Sequence, residues 1–197
     1  RKPNSDSLNL ESAAVAVDRR GFIIVDEQLR TSAQHIFAIG DVTGDPMLAH
    51  RASAQAKVAA EAACREKSAF LPLGIPSVAY TRPEIAWVGL TETEAGERGI
   101  EYTKGTFPWQ ASSRAMSALA AVGVTKALFD KKTGRLIGAG ICGKNAGELI
   151  AEALLALEMG AVSEDIALSI HAHPTLSETF AIAAELALGR ATDMLNR

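Results

Sequence analysis

The sequence predicts an α+β fold in which helices flank an antiparallel sheet, preceded by an incomplete piece of an α/β domain. Five short β-type runs follow residue 76, namely SVAYT, IAWVGL, YTKGTFPW, VTKALFD and RLIGAGIC. The last two flank Lys131–Gly134, a spacing typical of a hairpin whose turn contains glycine. Three helical segments accompany these runs, and they are expected to cover the sheet.

The first 70 residues have a different pattern. Two apolar runs, GFIIVD at 21–26 and HIFAIGD at 35–41, predict strands, and HRASAQAKVAAEAACREK at 50–67 is rich in helix-forming residues. Two strands do not close a sheet, so we expect residues 1–70 to be incomplete and to need further chain to pack on. The interleaved Pro and Gly of LPLGIP predict a linker, which places a second domain at 71–197.

Capping patterns and apolar spacing predict the three helices. Thr91-x-x-Glu94 is a capping box that opens a short helix, and Asn145-x-x-Glu148 opens a longer one. The third helix lies in LSETFAIAAELALG and ends at Gly189. The longer helix carries a single apolar stripe, which consists of Leu149, Ala153, Leu154 and Leu157.

The composition argues against several classes of function. Of the 197 residues, 48% are hydrophobic and 22% are charged, and the net charge is -3. This balance lacks the basic excess that binding to phosphate backbones requires, so no nucleic-acid partner is expected. No stretch reaches the roughly 20 apolar residues of a membrane helix, and the opening segment lacks the apolar core of a signal peptide. We therefore expect a cytoplasmic protein without a membrane segment.

Cys64 and Cys142 are the only two cysteines. Their separation fits neither a metal site nor a redox pair. Cys64 belongs to the Ala-rich helical pattern and Cys142 ends an apolar run, and both positions suit small core residues. Both are predicted to be buried, reduced thiols, and no metal site is expected.

A first candidate site follows the run IFAIGD, which ends at Gly40-Asp41 shortly before the helix predicted from residue 50. A carboxylate after a strand can accept hydrogen bonds from sugar-like hydroxyls, and the free N–H groups of a helix start favour an electron-rich ligand. A flavin meets both conditions, with its ribitol on Asp41 and its ring oxygen near Met47, Leu48, Ala49 and His50. The alternative is that Gly40-Asp41 only makes a turn.

Together with Thr31, this run resembles the second flavin-binding motif of flavoproteins that contain two dinucleotide-binding domains. The resemblance implies flavin contact through residues 47–50. It does not imply proton transfer by His50.

A second candidate site lies in HAHPTLSE. Pro174 disfavours helical geometry at His173, and Glu178 falls at the start of the next helix. The carboxylate could fold back onto one ring nitrogen of His173 and leave the other nitrogen to exchange protons, as in general acid–base catalysis. Two alternatives need no catalysis: Thr175-x-x-Glu178 is also a capping box, and His173 could be a satisfied histidine in an interface or core.

Four segments, HAHPTLSE, NAGELIAEALLALEMGA, SRAMSA and YTRPEIAWVGLTETEA, resemble dihydrolipoamide dehydrogenases, and the resemblance extends along nearly the whole chain. It implies that residues 71–197 form the dimerisation domain of an FAD- and NAD-linked reductase. Residues 1–70 would be the C-terminal part of the FAD-binding region. For the second site it implies that His173 is the acid–base catalyst and that Glu178 holds it.

Members of this family oxidise dihydrolipoamide and pass the electrons through a redox-active disulfide and FAD to NAD. The histidine takes a proton from the dithiol, because thiolate and not thiol attacks the disulfide. In the family this histidine reaches the flavin and disulfide of the other subunit, so the resemblance implies a homodimer. It also implies two partners, a lipoyl carrier domain and the acyltransferase core of a 2-oxo acid dehydrogenase complex.

The chain has no C-x-x-x-x-C and no G-x-G-x-x-G that follows a strand. It also begins without Met, at a point that matches the exit of the family from its NAD domain. We therefore expect a piece of a longer enzyme that is inactive alone and binds FAD weakly or not at all. Two alternatives are an isolated dimerisation module without catalysis and another disulfide reductase such as glutathione reductase, which shares the His-Pro-Thr sequence.

Overall fold

A computed structural model describes residues 1–192 and residue 194. The chain divides into two compact units, Arg1–Pro72 and the residues from Leu73 onward. Within the described part of the chain, no helix has the length and apolar character needed to cross a lipid bilayer.

The first unit contains less regular structure than its sequence predicts. Its elements are two 3-10 turns, Leu10–Ala13 and Gly40–Thr43, and helix α1, Ala49–Ala63. The two predicted strands are wrong: the apolar runs make only the isolated bridges Val17↔Ile23 and Arg30↔Phe37. Their backbone groups bond mainly into local turns, as Thr31 N–H does to the carbonyl of Ile36, so no ladder propagates.

Helix α1 ends earlier than predicted, and its cysteine is not in the core. Cys64 is the C-cap residue, and Arg65 then takes a left-handed φ of 66° that ends the helix. Cys64 is exposed and Cys142 is partly exposed, so the prediction that both are buried is wrong. The apolar face of α1 is supplied by alanines such as Ala59 and Ala62, and Cys64 falls beyond it.

The second unit contains one five-stranded sheet. Its elements in chain order are β1 Ser77–Ala79, β2 Glu84–Gly89, α2 Glu92–Glu97, β3 Tyr102–Pro108, α3 Ser113–Ser117, β4 Val124–Asp130, β5 Leu136–Gly143, α4 Ala146–Glu158, α5 Ser163–Leu168 and α6 Glu178–Ala187. The strand order is β1-β2-β5-β4-β3, and every neighbouring pair is antiparallel. The predicted α+β class is therefore confirmed, as is the hairpin between β4 and β5.

Helices α4 and α6 cover one face of this sheet. Helix α4 packs on β1, β2 and β5, and α6 packs on β3 and β4. The side chains of β2 alternate between a covered and an uncovered face of the sheet. Ala86 and Val88 are buried, whereas Ile85 and Trp87 on the opposite face are 45% and 41% exposed. At Gly105 of β3 an added Cβ would lie 1.6 Å from the carbonyl oxygen of Ala183, so α6 can approach this closely only over glycine.

One glycine pattern in the sheet has the spacing of a dinucleotide-binding loop but not its structure. Gly138, Gly140 and Gly143 lie within β5, which is paired with a strand on each side. A Cβ on Gly138 would lie 2.0 Å from the carbonyl oxygen of Leu90, and one on Gly143 would collide with the ring of Trp109. These glycines therefore permit close packing in the sheet and do not form a phosphate loop.

The helix starts agree with the sequence in one case and differ in another. The capping box of Thr91 and Glu94 is confirmed, with both reciprocal bonds present. The box predicted at Asn145 is wrong: Asn145 has a left-handed φ of 61°, and its side chain caps nothing. The N–H of Gly147 instead donates to the carboxylate of Glu84 on β2 at 3.0 Å, so a tertiary contact supplies the cap.

A chain of buried hydrogen bonds joins the sheet to the start of α6. The indole N–H of Trp109 donates to the hydroxyl of Thr125 at 2.9 Å, and that hydroxyl lies 2.8 Å from the hydroxyl of Thr179. Thr179 donates to the carbonyl of Leu176 at 2.7 Å. Each group is therefore satisfied if Thr125 donates to Thr179, and the chain fixes the residues that precede and open α6.

We expect Thr125→Val to lower the free energy of unfolding by about 1–3 kcal/mol, because it leaves the Trp109 N–H without an acceptor in a dry interior. Denaturant unfolding monitored by circular dichroism measures the change. Thr106→Val is the matched control, since Thr106 is an exposed threonine on β3 and its loss should change stability by less than about 0.5 kcal/mol. Equal losses in the two variants would contradict this account.

The face of the sheet opposite α4 and α6 carries an ion cluster centred on Glu92. One carboxylate oxygen accepts from Lys104 at 2.8 Å and from the hydroxyl of Tyr102 at 3.2 Å, and the other oxygen accepts from Lys126. Hydrogen bonds from Lys104 and Lys126, in that order, lower the pKa of Glu92 to about 2. The carboxylate consequently binds its proton less readily in the folded chain than in the unfolded chain.

This depressed pKa makes stability depend on acid pH. The contribution of Glu92 is complete above its ordinary value of 4.5 and is lost as the pH falls toward about 2. We expect the unfolding free energy of the chain to decline over this window less steeply in Glu92→Gln. Glu97→Gln, on the exposed side of the same helix, should keep the slope of the unsubstituted chain; a slope that does not change in Glu92→Gln would be inconsistent with the ion cluster.

Candidate acid–base and cofactor sites

The structure brings the two predicted catalytic residues together. His173 lies in the segment between α5 and α6, and Glu178 is the first residue of α6. The Nδ1 atom of His173 is 2.8 Å from Oε1 of Glu178, and the histidine side chain is 71% exposed. Because a carboxylate only accepts, Nδ1 carries a proton in this contact. The other ring nitrogen, Nε2, makes no hydrogen bond to the described residues and can take up or release a proton.

Glu178 contacts both His173 and the backbone of Thr175, but the capping box predicted at Thr175 is wrong. Its second oxygen, Oε2, accepts the backbone N–H of Thr175 at 2.6 Å, as a capping residue would. The hydroxyl of Thr175 does not complete a capping box, because it donates to the carbonyl of Ala172 at 2.7 Å. The N-cap of α6 is Ser177. The capping contact thus orients the carboxylate that holds His173, so the structural and catalytic interpretations are compatible.

The exposure of His173 excludes one of the alternatives for this residue. A core histidine would be buried with both ring nitrogens bonded. His173 has one bonded nitrogen and one that faces solvent, the pattern that a general base requires. An interface role stays compatible with this geometry, because an exposed residue becomes buried when a second chain docks.

Sequence reasoning missed a second histidine in the same segment. His171 is only 11% exposed, and its two nitrogens lie 2.8 Å from the carbonyl oxygen of Ser169 and 2.6 Å from Oε1 of Glu152 on α4. Burial alone would lower the pKa of His171, but the hydrogen bonds to Glu152 and to Ser169 outweigh it and raise the pKa. The presence of a second histidine in HAH was the only signal in the sequence. In an extended segment residues two apart share one face, so the pattern does not predict the different environments of His171 and His173.

The predicted cofactor residues lie together in the first unit. Asp41 is exposed in the 3-10 turn Gly40–Thr43, and α1 begins at Ala49 after Leu48, whose side chain does not cap the helix. Met47 and Leu48 therefore precede the helix, and Ala49 and His50 open it.

Two residues of α1 that the sequence did not single out hold the turn against the helix. Arg51 donates to the carbonyl of Gly44 at 2.8 Å and to the hydroxyl of Thr43 at 3.2 Å, and Gln55 accepts the N–H of Gly40 at 2.7 Å. Desolvation lowers the pKa of Arg51, although the charges of nearby carboxylates oppose the shift. The four-residue spacing of Arg51 and Gln55, which places both on one face of the helix, was the only signal in the sequence.

This arrangement fits the two conditions set by a flavin. The carboxylate of Asp41 is exposed and accessible to hydroxyl groups, and the side chain of Leu48 does not cap the start of α1. Gly40 has a left-handed φ of 74°, and a Cβ at this position would lie 3.2 Å from the Cβ of Ala52. The glycine therefore lets the turn pack closely against α1. The assignment of Asp41 and residues 47–50 to a cofactor stays a prediction. Among residues 1–192 and 194, no group of three His, Cys, Asp or Glu side chains could hold a metal ion.

Comparison with known sequences identifies the class of protein that this fold and site define. The family profile for the pyridine nucleotide-disulphide oxidoreductase dimerisation domain matches residues 75–184, and the profile for pyridine nucleotide-disulphide oxidoreductases matches residues 1–56. The chain therefore belongs to the pyridine nucleotide-disulphide oxidoreductase family, and its sheet unit is the dimerisation domain.

Within this family the similar sequences are dihydrolipoyl dehydrogenases. The enzyme of Vibrio cholerae is 55% identical over 196 residues, and the enzyme of Thermus scotoductus is 49% identical over 197 residues. Each alignment covers 100% of this chain but only 41% and 42% of the relative. The chain thus spans about two fifths of the length of these relatives.

Solved structures of related reductases share the fold. The HOCl-induced flavoprotein disulfide reductase RclA from Escherichia coli matches with a TM-score of 0.86 and 30% identity, over 94% of this chain and 43% of that one. LpdA from Mycobacterium tuberculosis matches with a TM-score of 0.86 and 28% identity, over 93% of this chain and 40% of that one. The similarity therefore extends over both units of the chain.

Proposed function

We propose that this chain is the C-terminal portion of a dihydrolipoyl dehydrogenase and supplies its acid–base pair and its dimerisation surface. The observation that carries the proposal is the contact of 2.8 Å between His173 and Glu178, in a chain that is 55% identical to an enzyme of that name. The proposed reaction is the oxidation of dihydrolipoamide to lipoamide, with NAD as the final electron acceptor.

The proton chemistry of this reaction falls to His173. The Nε2 atom takes a proton from a thiol of dihydrolipoamide, because the thiolate is the nucleophile that attacks a disulfide. The ring then carries a positive charge, which the Glu178 carboxylate stabilises through Nδ1 while holding the ring in orientation. The N–H of Thr175 fixes Glu178 in turn. Neither the redox disulfide nor a dithiol motif occurs in these 197 residues, so both reaction partners of His173 come from outside this chain.

FAD, when bound, supplies the electron-accepting group between the disulfide and NAD. Asp41 would accept hydrogen bonds from its ribitol hydroxyls. Met47, Leu48, Ala49 and His50 would present the N-terminus of α1 to the electron-rich edge of the ring. The residues of this unit form only part of a cofactor site, so we expect this chain alone to bind FAD weakly or not at all.

The assembly that completes the site is a homodimer. Four apolar side chains are largely exposed: Leu155 on α4, Met159 directly after α4, Leu168 at the end of α5, and Ile170 on the connection from α5 to α6. Ile170 is fully exposed three residues before His173, so a second copy that covers this patch also approaches the catalytic histidine. The assignment of residues 75–184 to a dimerisation domain supports a second copy as the occupant.

The further partners of the intact enzyme would be a lipoyl carrier domain, which delivers dihydrolipoamide, and the acyltransferase core of a 2-oxo acid dehydrogenase complex. The absence of a candidate membrane-spanning helix among the described residues is compatible with a cytoplasmic location. A disulfide reductase that acts on a different substrate is the second candidate, and the similarity to RclA supports it. An isolated dimerisation module would retain the dimer without catalysis.

We expect His173→Gln in the intact dehydrogenase to lower kcat for dihydrolipoamide by about 10²–10⁴-fold, the usual contribution of a general base. Steady-state reduction of NAD measures the effect. His35→Gln makes the same substitution at an exposed histidine of the first unit and should leave kcat unchanged. Near-normal turnover in His173→Gln would contradict the proposed function, whereas a comparable loss with glutathione as the substrate would favour the second candidate.

We expect light scattering of the 197-residue chain to report a dimer and Ile170→Lys to shift the equilibrium toward monomer by at least about tenfold in Kd, because a lysine ammonium would have to be desolvated in the interface. Leu119→Lys is the control, since Leu119 is equally exposed but lies on the connection from α3 to β4. A monomeric chain at high micromolar concentration, or equal effects of both substitutions, would count against the proposed surface.

A further inference from the structure

The two histidines of HAH differ in environment although they are two residues apart. His173 is 71% exposed, whereas His171 is 11% exposed and bonded at both ring nitrogens. The partner of Nδ1 is the carbonyl oxygen of Ser169, and the partner of Nε2 is the carboxylate of Glu152 in the middle of α4. His171 therefore ties the segment that carries His173 to a helix on the covered face of the sheet.

The chemistry of these two partners fixes the charge of His171. A carbonyl oxygen and an ionised carboxylate only accept hydrogen bonds, and a neutral imidazole has only one N–H. In either neutral tautomer, one ring nitrogen would therefore direct its lone pair at an oxygen less than 3 Å away. Only the imidazolium, with two N–H groups, satisfies both contacts.

A proton on Glu152 would be the other way to satisfy the pair, but it is the less favourable one. Carboxyl groups of glutamate ordinarily ionise near pH 4.3 and imidazolium near pH 6.5, so the shared proton belongs on the imidazole. The Glu152 side chain is 39% exposed, which keeps its anion hydrated.

We propose that His171 is a positioning residue, a largely buried imidazolium that ties the His173 segment to α4 and places a fixed positive charge near the Glu178 carboxylate. The proposal rests on the proposed function of His173. The carboxylates that face His171 are Glu152 on α4 and Glu178 on α6, and both raise its pKa against the effect of burial. One positive charge thus balances two carboxylates, of which only Glu178 also contacts His173.

This charge has a consequence for catalysis. The carboxylate of Glu178 contacts the ring of His173 at 2.8 Å and also lies near the ring of His171. The imidazolium of His171 offsets part of the negative charge of Glu178. Loss of the His171 charge should therefore change the pH dependence of turnover, whereas loss of a purely structural tether would lower activity equally at every pH.

Ring ¹⁵N chemical shifts of the 197-residue chain test the charge directly, with His171→Gln used to assign the signal. We expect both nitrogens of His171 to stay protonated above pH 6.5, the ordinary midpoint of imidazole. Glu152→Gln should lower the midpoint by about 1–3 pH units, because it removes the partner charge and its amide can donate to a neutral ring. Glu148→Gln, an exposed glutamate one turn earlier on α4, should not move it. A midpoint at or below 6.5 in the unsubstituted chain overturns the proposal.

The pH dependence of kcat in the intact dehydrogenase tests the positioning role. We expect the acidic limb of the profile to move to higher pH by roughly 0.5–1 unit in His171→Gln and in Glu152→Gln, with KM changed by less than about twofold. Glu148→Gln should follow the unsubstituted enzyme. If His173→Gln abolishes turnover but the two tether variants keep the original profile, only this inference fails. If His173→Gln retains turnover, the proposed function itself fails.

Discussion

The docking of α6 on strands β3 and β4 is the constraint on which the candidate site depends. Glu178 is the first residue of α6, so any rotation or slide of this helix moves the carboxylate away from His173. Two contacts prevent such motion: the backbone of Ala183 lies directly over Gly105, where no side chain could be accommodated, and Thr179 is bonded to Thr125 of the sheet. Because protein interiors are close-packed, α6 cannot shift slightly into another low-energy arrangement. The start of α6 is therefore held in a fixed position on the sheet.

The segment before α6 is fixed at both of its ends, and this explains how an exposed residue can have a defined orientation. At the near end, Glu178 binds both the N–H of Thr175 and the ring of His173. At the far end, His171 is bonded to Glu152 of α4. His173 lies between the two clamps, so its ring can be exposed to solvent without the loss of order that exposure normally brings.

The sequence was informative wherever local pattern decides structure. The strands of the second unit lie in short β-type runs, the box at Thr91 is complete within four residues, and His173 and Glu178 are only five residues apart. It failed where the decisive partner is distant. The runs at 21–26 and 35–41 have β propensity but form only isolated bridges. The capping role predicted for Asn145 is taken by Glu84, which is 63 residues away from Gly147 in sequence. The role of His171 was hidden for the same reason, because Glu152 becomes its partner only after α4 has packed.

An acid–base residue that is largely exposed to water is poorly placed to act alone. Water competes for the proton and screens the carboxylate, so the interaction between His173 and Glu178 gains strength only when solvent is excluded. The residues that surround His173 indicate how exclusion would occur: Leu168 and Ile170 are apolar and extend into solvent, which is unfavourable for a surface that stays uncovered. Burial of this patch by a second copy would stabilise the assembly and, in the same step, transfer the pair into a medium of lower dielectric constant. Dimerisation and activation of the base would then be one event, because the same few residues determine both.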